Sequence, residues 1–204
     1  TVIEKPVSIA DTGALSAQSE GPILFNNIKE YPDFRLCDML VKHRWSQCRA
    51  LGVAESDYLP TLAQRLRKPP RGLVDVATGP VKEVIWTGKD ADWLKLPIPR
   101  HSELEDAPLV TAMNIVKDPE TGFYNSSHAA TQATGAHRGL VSFITPHTHA
   151  IMAKYLARSI TEMPIAMVFG IPPAFEIMGN FSGLHMDLWG EMEMVGTVMD
   201  LDIE

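Results

Sequence analysis

Only two of the 204 residues are cysteine. They are Cys37 and Cys48, and both fall in Phe34–Leu51, a segment that reads as one helix. Eleven residues of helix separate them by about 16 Å, beyond the reach of a disulfide. No third cysteine offers another partner, so the chain suits a reducing, cytoplasmic setting. No apolar run reaches the roughly 20 residues that span a bilayer, so no membrane partner is expected. Lys5 and Asp11 interrupt the opening segment and leave no signal pattern. Positive charge is scarce: 18 Lys and Arg stand against 25 Asp and Glu, a net charge of −7. That excludes wholesale nucleic-acid binding through phosphate neutralisation. The one basic cluster, Arg65-Leu66-Arg67-Lys68-Pro69-Pro70-Arg71, reads as a solvated loop after a helix, with a phosphate or acidic-partner patch as the alternative. Glycine-rich phosphate loops, a serine nucleophile elbow, paired-cysteine metal motifs and internal repeats are all missing.

What is present is a globular composition, 45% hydrophobic and 21% charged, with ample material for a core. Pro6–Ile9 is strand-like and Asp11-Thr12-Gly13 turn-like. Ile23-Leu24-Phe25 is a short buried strand. Asp33 caps the helix Phe34–Leu51, which ends at Gly52. Ser56 or Asp57 caps a second helix ending near Arg67. Leu73–Ala77 and Val81–Thr87 are strands by β-branched content, Asp90–Leu94 is a helical turn, and the prolines hold Leu96-Pro97-Ile98-Pro99 extended. A boundary falls near here, giving an N-terminal region 1–100 and a strand-richer region 101–204. In the latter, strands are expected over Leu109–Lys117, Phe123–Thr134, Gly139–Thr145 and, buried, Pro164–Gly170. Thr145 caps a helix with Pro146 at its first position. His185–Asp200 is expected to be helical, its methionines serving as core filler or oligomer contact.

The chemistry concentrates in Val110–Gln132. Two strands fold about Asp118-Pro119-Glu120-Thr121-Gly122, with Pro fixing φ early in the turn and Gly accepting positive φ at its end. The second strand then exchanges apolar residues for Asn125-Ser126-Ser127-His128-Ala129-Ala130-Thr131-Gln132. Small polar side chains there let a ligand or metal approach the backbone; the alternative is a polar edge strand facing water. Five of the seven histidines lie between 128 and 185. Pro146-His147-Thr148-His149 is the sharpest local signal. Two such histidines can ligate a metal from a strand, whereas a helix start favours a phosphate.

Several segments together resemble the UbiD family of reversible decarboxylases, which use prenylated FMN. They are Gly21-Pro22-Ile23-Leu24-Phe25-Asn26-Asn27-Ile28-Lys29-Glu30-Tyr31-Pro32; Leu94-Lys95-Leu96-Pro97-Ile98-Pro99; Val116-Lys117-Asp118-Pro119-Glu120-Thr121-Gly122 with Asn125; and Met163-Pro164-Ile165-Ala166 running to Gly170-Ile171-Pro172-Pro173. Their order and spacing cover nearly the whole chain. The resemblance implies an α+β protein, an N-terminal α/β region followed by a flavin-reductase-like split β-barrel with flanking helices. It implies prenylated FMN, a divalent metal such as Mn²⁺, and K⁺. Asn125 and His147 are the implied metal ligands, with His149 the lesser register. Asn125, Ser126, Ser127, His128, Ala129, Ala130, Gln132, Pro146, His147 and Phe181 are the implied cofactor contacts. The implied reaction is decarboxylation of an aromatic or α,β-unsaturated acid, which leaves a carbanion needing an electron sink. A homo-oligomer, or completion by a complementary chain, is implied as well.

Two departures bear on this. Family members commonly carry an arginine five residues after the metal asparagine, paired with a catalytic glutamate; here Ala130 stands there, although Gln132 agrees. Members are also more than twice as long. A third metal ligand (a Glu), the catalytic glutamates and an oligomerisation domain are therefore expected beyond Glu204, and no catalytic residue is assigned within the chain. The alternative function is a non-catalytic flavin-binding or structural subunit. A metal-dependent hydrolase built on the histidines is a weak third.

Overall fold

Ser8 begins the first regular element of any length. Its hydroxyl caps α1 (Ile9–Gln18) by accepting the Ala10 N–H, while Glu30 accepts the Ser8 hydroxyl at 2.6 Å and the Ile9 N–H at 2.8 Å. The computed structural model describes residues 1–144, 146–180, 190–201 and 203. The turn expected at Asp11–Gly13 is instead the interior of α1. Two compact units organise the chain.

The first unit comprises residues 1–46, 77–111 and 130–142. Strands β1 (Val2–Ile3), β2 (Ile23–Phe25) and β3 (Leu36–Asp38) form a sheet in the order β1-β2-β3. The β1–β2 pair is parallel and the β2–β3 pair antiparallel. Ile23, Phe25 and Ile28 make its core, with Val7, Leu15 and Leu36 packed around them. The single helix expected over Phe34–Leu51 does not form: β3 is followed by Met39 at φ +60°, and α2 begins only at Arg44 (Arg44–Leu51). An open edge of β2 recruits Leu36–Asp38, and that pairing overrides local helix preference. Neither cysteine is in a disulfide; Cys37 is exposed and Cys48 buried. The strand expected at Val81–Thr87 is replaced by a 3-10 turn at Pro80–Lys82 and irregular chain; β-branched residues without a partner strand do not make one.

The second unit comprises residues 47–76, 112–129 and 143–204. It holds α3 (Tyr58–Arg65), α4 (Pro146–Ala157), β7 (Ile165–Val168), α5 (Pro173–Met178) and α6 (Glu191–Met199). Strands β4 (Leu109–Lys117) and β5 (Tyr124–Gly135) contribute residues to both units, and with β6 (Arg138–Ser142) and β7 they give a sheet in the order β6-β5-β4-β7. Cys48, Leu51, Tyr58 and Ala174 form one apolar cluster; Met178, Val195 and Val198 form another. Met199 packs against both, the filler role expected of the methionines. Arg65 donates to the carbonyls of Leu51 and Val198 at 3.4 and 3.1 Å, so the basic cluster begins as a tie between helices. Leu73 makes only an isolated bridge to Ile203, not the expected strand. β7 is exposed to half-buried, not buried, because it lies at the sheet edge. α5 follows β7, because Pro173 at the first helical position starts a helix. Of the helix expected over His185–Asp200, Glu191–Met199 is present; Thr145, Phe181 and His185 lie outside the described residues.

Candidate functional site

The turn expected between β4 and β5 is built as its sequence suggests. Asp118 N–H donates to the Phe123 carbonyl and Gly122 N–H to the Asp118 carbonyl, each at 2.9 Å. Gly122 sits at φ +78°, a conformation a side chain would strain. Beyond the turn, side chains of β5 alternate. Asn125 Nδ2 donates to Thr148 Oγ1 at 3.2 Å, and Ser127 Oγ lies 3.1 Å from the same oxygen. In the other direction, Ser126 Oγ donates to the Gly179 carbonyl at 2.6 Å. The His128 N–H donates to Asn180 Oδ1 at 3.1 Å.

Three polar side chains meet at the start of α4. Asn125 is buried, and its Oδ1 has no hydrogen-bond partner among the described residues. His147 Nδ1 lies 3.3 Å from Glu191 Oε1. Glu191 is 3% exposed, and its other oxygen accepts the Ser126 N–H at 3.3 Å. Burial pushes the Glu191 carboxyl above the usual range, although its own backbone N–H, the His147 imidazole and the Ser126 N–H oppose that. A bare buried amide oxygen, an imidazole and a buried carboxylate are hard or borderline donors. They suit a divalent cation, whose charge would hold Glu191 ionised. Among the described residues no three His, Cys, Asp or Glu side chains cluster as a metal site; the set needs the asparagine.

Alongside lies a cleft of about 210 Å³, lined by Asp118, Phe123, Asn125, His147, Ile151 and Lys154 among others. The remaining expected contacts are dispersed. Ala129 is buried, Pro146 is exposed at the first position of α4, and His149 is exposed. Ala130 and Gln132 continue β5 in the first unit, facing Ser142 and Leu140 on β6. Phe181 falls outside the described residues. His128 Nε2 is buried without a partner among the described residues, and burial holds its imidazole below the usual pKa.

The resemblance implies an acidic donor beyond Glu204. Within the described residues, Glu191 lies beside His147, from the first turn of α6. The available signal was an acid opening an apolar helix just after Gly190. It was hidden because a first-turn glutamate is ordinarily a solvated dipole partner.

Residues 73–204 match the family model described as UbiD: 3-octaprenyl-4-hydroxybenzoate carboxy-lyase Rift-related domain. The chain belongs to the UbiD family. An anhydromevalonate phosphate decarboxylase of Methanosarcina mazei is 28% identical over 173 residues, 84% of this chain and 39% of that protein. The protein of the same description from Methanothermobacter thermautotrophicus is 30% identical over 115 residues, 56% of this chain and 26% of that protein. Among solved structures, an evolved dimeric form of the UbiD-class enzyme HmfF from Pelotomaculum thermopropionicum, in complex with prFMN, superposes with a TM-score of 0.86. It is 28% identical and covers 99% of this chain, which spans 47% of HmfF. A 3,4-dihydroxybenzoic acid decarboxylase from Enterobacter cloacae, at 18% identity and a TM-score of 0.86, shares the fold. The chain therefore spans less than half the length of these proteins.

Proposed function

We propose that this chain is the N-terminal and cofactor-holding part of a UbiD-type carboxy-lyase that removes carbon dioxide from an unsaturated or aromatic acid with prenylated FMN. The observation that carries the reading is the buried Oδ1 of Asn125, without a hydrogen-bond partner among the described residues, in the cleft it shares with His147, whose ring lies against Glu191. Asn125, His147 and Glu191 hold the divalent metal, Mn²⁺ in the family pattern, with K⁺ nearby. Ser126 through Ala130, Gln132, Pro146 and Phe181 are the proposed flavin contacts. When bound, the flavin supplies the electron sink that loss of carbon dioxide requires. The chain's own residues bind and orient. Thr148 holds the Asn125 amide by its nitrogen and leaves the oxygen for the cation. The Ser126 N–H anchors the Glu191 carboxylate.

The names of the two similar decarboxylases, which specify anhydromevalonate phosphate, favour a phosphorylated aliphatic acid over an aromatic one. The strands β4–β7 are read as part of a flavin-reductase-like split barrel, two cysteines without a disulfide fit a cytoplasmic setting, and an oligomer is read from the family pattern. Ala130, in place of the family arginine, supports the second reading, a flavin-holding subunit without activity of its own.

Native mass spectrometry of the full chain with Mn²⁺ and prenylated FMN tests the proposal. Bound metal and flavin are expected with the wild type. Asn125→Ala and Glu191→Ala should each weaken Mn²⁺ by at least about 100-fold. Undiminished binding in both variants would remove the site. Turnover of phosphorylated and aromatic unsaturated acids by the loaded protein separates the enzyme from the inactive subunit.

A further inference from the structure

Asp118 divides its carboxylate between two tasks. Oδ1 accepts the N–H groups of Glu120 and Thr121 at 2.8 and 3.4 Å, closing the hairpin turn. Oδ2 accepts from Lys154 Nζ on α4 at 2.6 Å. Lys154 also pairs with Glu120 Oε2 at 3.2 Å, and Arg158 with Glu120 Oε1 at 3.1 Å. The Tyr155 hydroxyl donates to the Lys117 carbonyl at 3.1 Å. The second half of α4 is thus tied to the hairpin by charge and hydrogen bonds together.

The other end of the same cleft holds the metal donors. His147, Ile151 and Lys154 are spaced four and three residues apart, which puts them on one helix face, and all three line the cleft. Its opposite wall runs along the hairpin from Asp118 to Asn125. Two rungs tie the helix to the hairpin: Lys154 to Asp118 across the cleft, and, six residues back along α4, Asn125 Nδ2 to the Thr148 hydroxyl, next to His147 in the chain. A helix is stiff over two turns, and Asp118 is braced by its own turn. Rotation or sliding of α4 therefore shifts both rungs together.

We propose that Lys154 is a positioning residue for the metal site: its pairing with Asp118 sets the rotation and height of α4, and so where His147 stands relative to Asn125. The inference rests on the reading of Asn125, His147 and Glu191 as cation ligands. No flavin is needed to test it.

The experiment is Mn²⁺ titration of the full chain followed by electron paramagnetic resonance. Lys154→Met keeps the aliphatic stem and removes the charge. Asp118→Asn keeps the turn acceptor and removes the countercharge. Each should weaken Mn²⁺ by about tenfold, the low end for supporting partners of metal ligands, and the double variant should be little worse than either single one. Lys154→Arg should recover most of the affinity. Glu30→Gln, which weakens the carboxylate brace on the Ser8 cap of α1 in the other unit, should lower melting without changing Mn²⁺ binding. Wild-type Mn²⁺ affinity in both Lys154→Met and Asp118→Asn, with only a lower Tm, would overturn the proposal while leaving the metal site intact. Absence of Mn²⁺ binding by the wild-type chain would overturn the cation reading and this proposal with it.

Discussion

Asn125 is anchored at one end of its amide and bare at the other. The nitrogen donates to Thr148 Oγ1, and the oxygen is buried with no partner among the described residues. An orphaned buried acceptor costs about 1–3 kcal/mol unless something arrives to satisfy it, and a cation does so with interest in charge as well as geometry. Thr148 is fully buried and orients both Asn125 and Ser127. We expect Thr148→Val, close to isosteric, to leave the Asn125 N–H group unsatisfied and cost about 1–3 kcal/mol. Mn²⁺ should weaken by about 10–100-fold, the usual effect of losing a ligand's supporting partner. Chemical denaturation and metal titration measure the two effects separately. Stability lost without metal affinity would mean that the Asn125 orientation does not matter to the cation.

At the scale of elements, α4 carries the site's imidazole at one end and its clamp at the other, and both ends are open to test. Its C-terminal end turns at Ser159, which sits at φ +60° with its N–H on the Leu156 carbonyl at 2.9 Å. Only glycine adopts that conformation without cost, so Ser159→Gly should stabilise by up to about 1 kcal/mol in thermal melts. The clamp predicts a pH dependence. Burial pushes the Asp118 carboxyl up, but the Lys154 ammonium and the N–H groups of Glu120 and Thr121 outweigh it and hold the group below its usual range. Its contribution is complete above the unfolded aspartate value of about 3.9 and is lost as pH falls from there through the lower folded value. Lys154 is held above its usual range, chiefly by the Asp118 hydrogen bond. Its contribution is complete below the unfolded lysine value and is lost as pH rises through the higher folded one. Asp118→Asn should therefore flatten the acid limb of the stability–pH curve and lower neutral-pH stability by on the order of 1 kcal/mol. An unchanged acid limb would show that the pairing contributes nothing to folding.

At the scale of the molecule, the first unit presents large apolar side chains to solvent. Val81 is 86% exposed and Leu104 93%, and Val84 and Ile85 are each 69% exposed. All five residues of β6 are exposed along the sheet's edge. Clustered apolar exposure and an uncovered edge favour association. We expect the chain to self-associate on concentration, and the double substitution Val84→Lys with Ile85→Lys to suppress it in light scattering. Equal scattering by the two proteins would place the association elsewhere.

Where the pattern of side chains was sufficient, reading succeeded. β4, predicted over Leu109–Lys117, spans those residues, because alternation and the turn chemistry of Asp118–Gly122 are local. The start of α4 at Pro146 and the stop at Gly52, with φ +66°, were legible for the same reason. β3 and α1 were not. The first depends on an edge offered by β2, and the second on Glu30 reaching back to Ser8 and Ile9. The sequence by itself determined the turn at Asp118–Gly122, the polar run after Asn125, the histidine opening α4 and, through its ordered segments, the UbiD family. Only the tertiary structure decided that Glu191 joins His147, that Asn125 keeps a bare buried oxygen, and that Asp118 holds Lys154. Those pairings join residues 36 to 44 positions apart for the two charged contacts. Periodicity and capping act over one or two turns, so nothing in the local pattern specifies them.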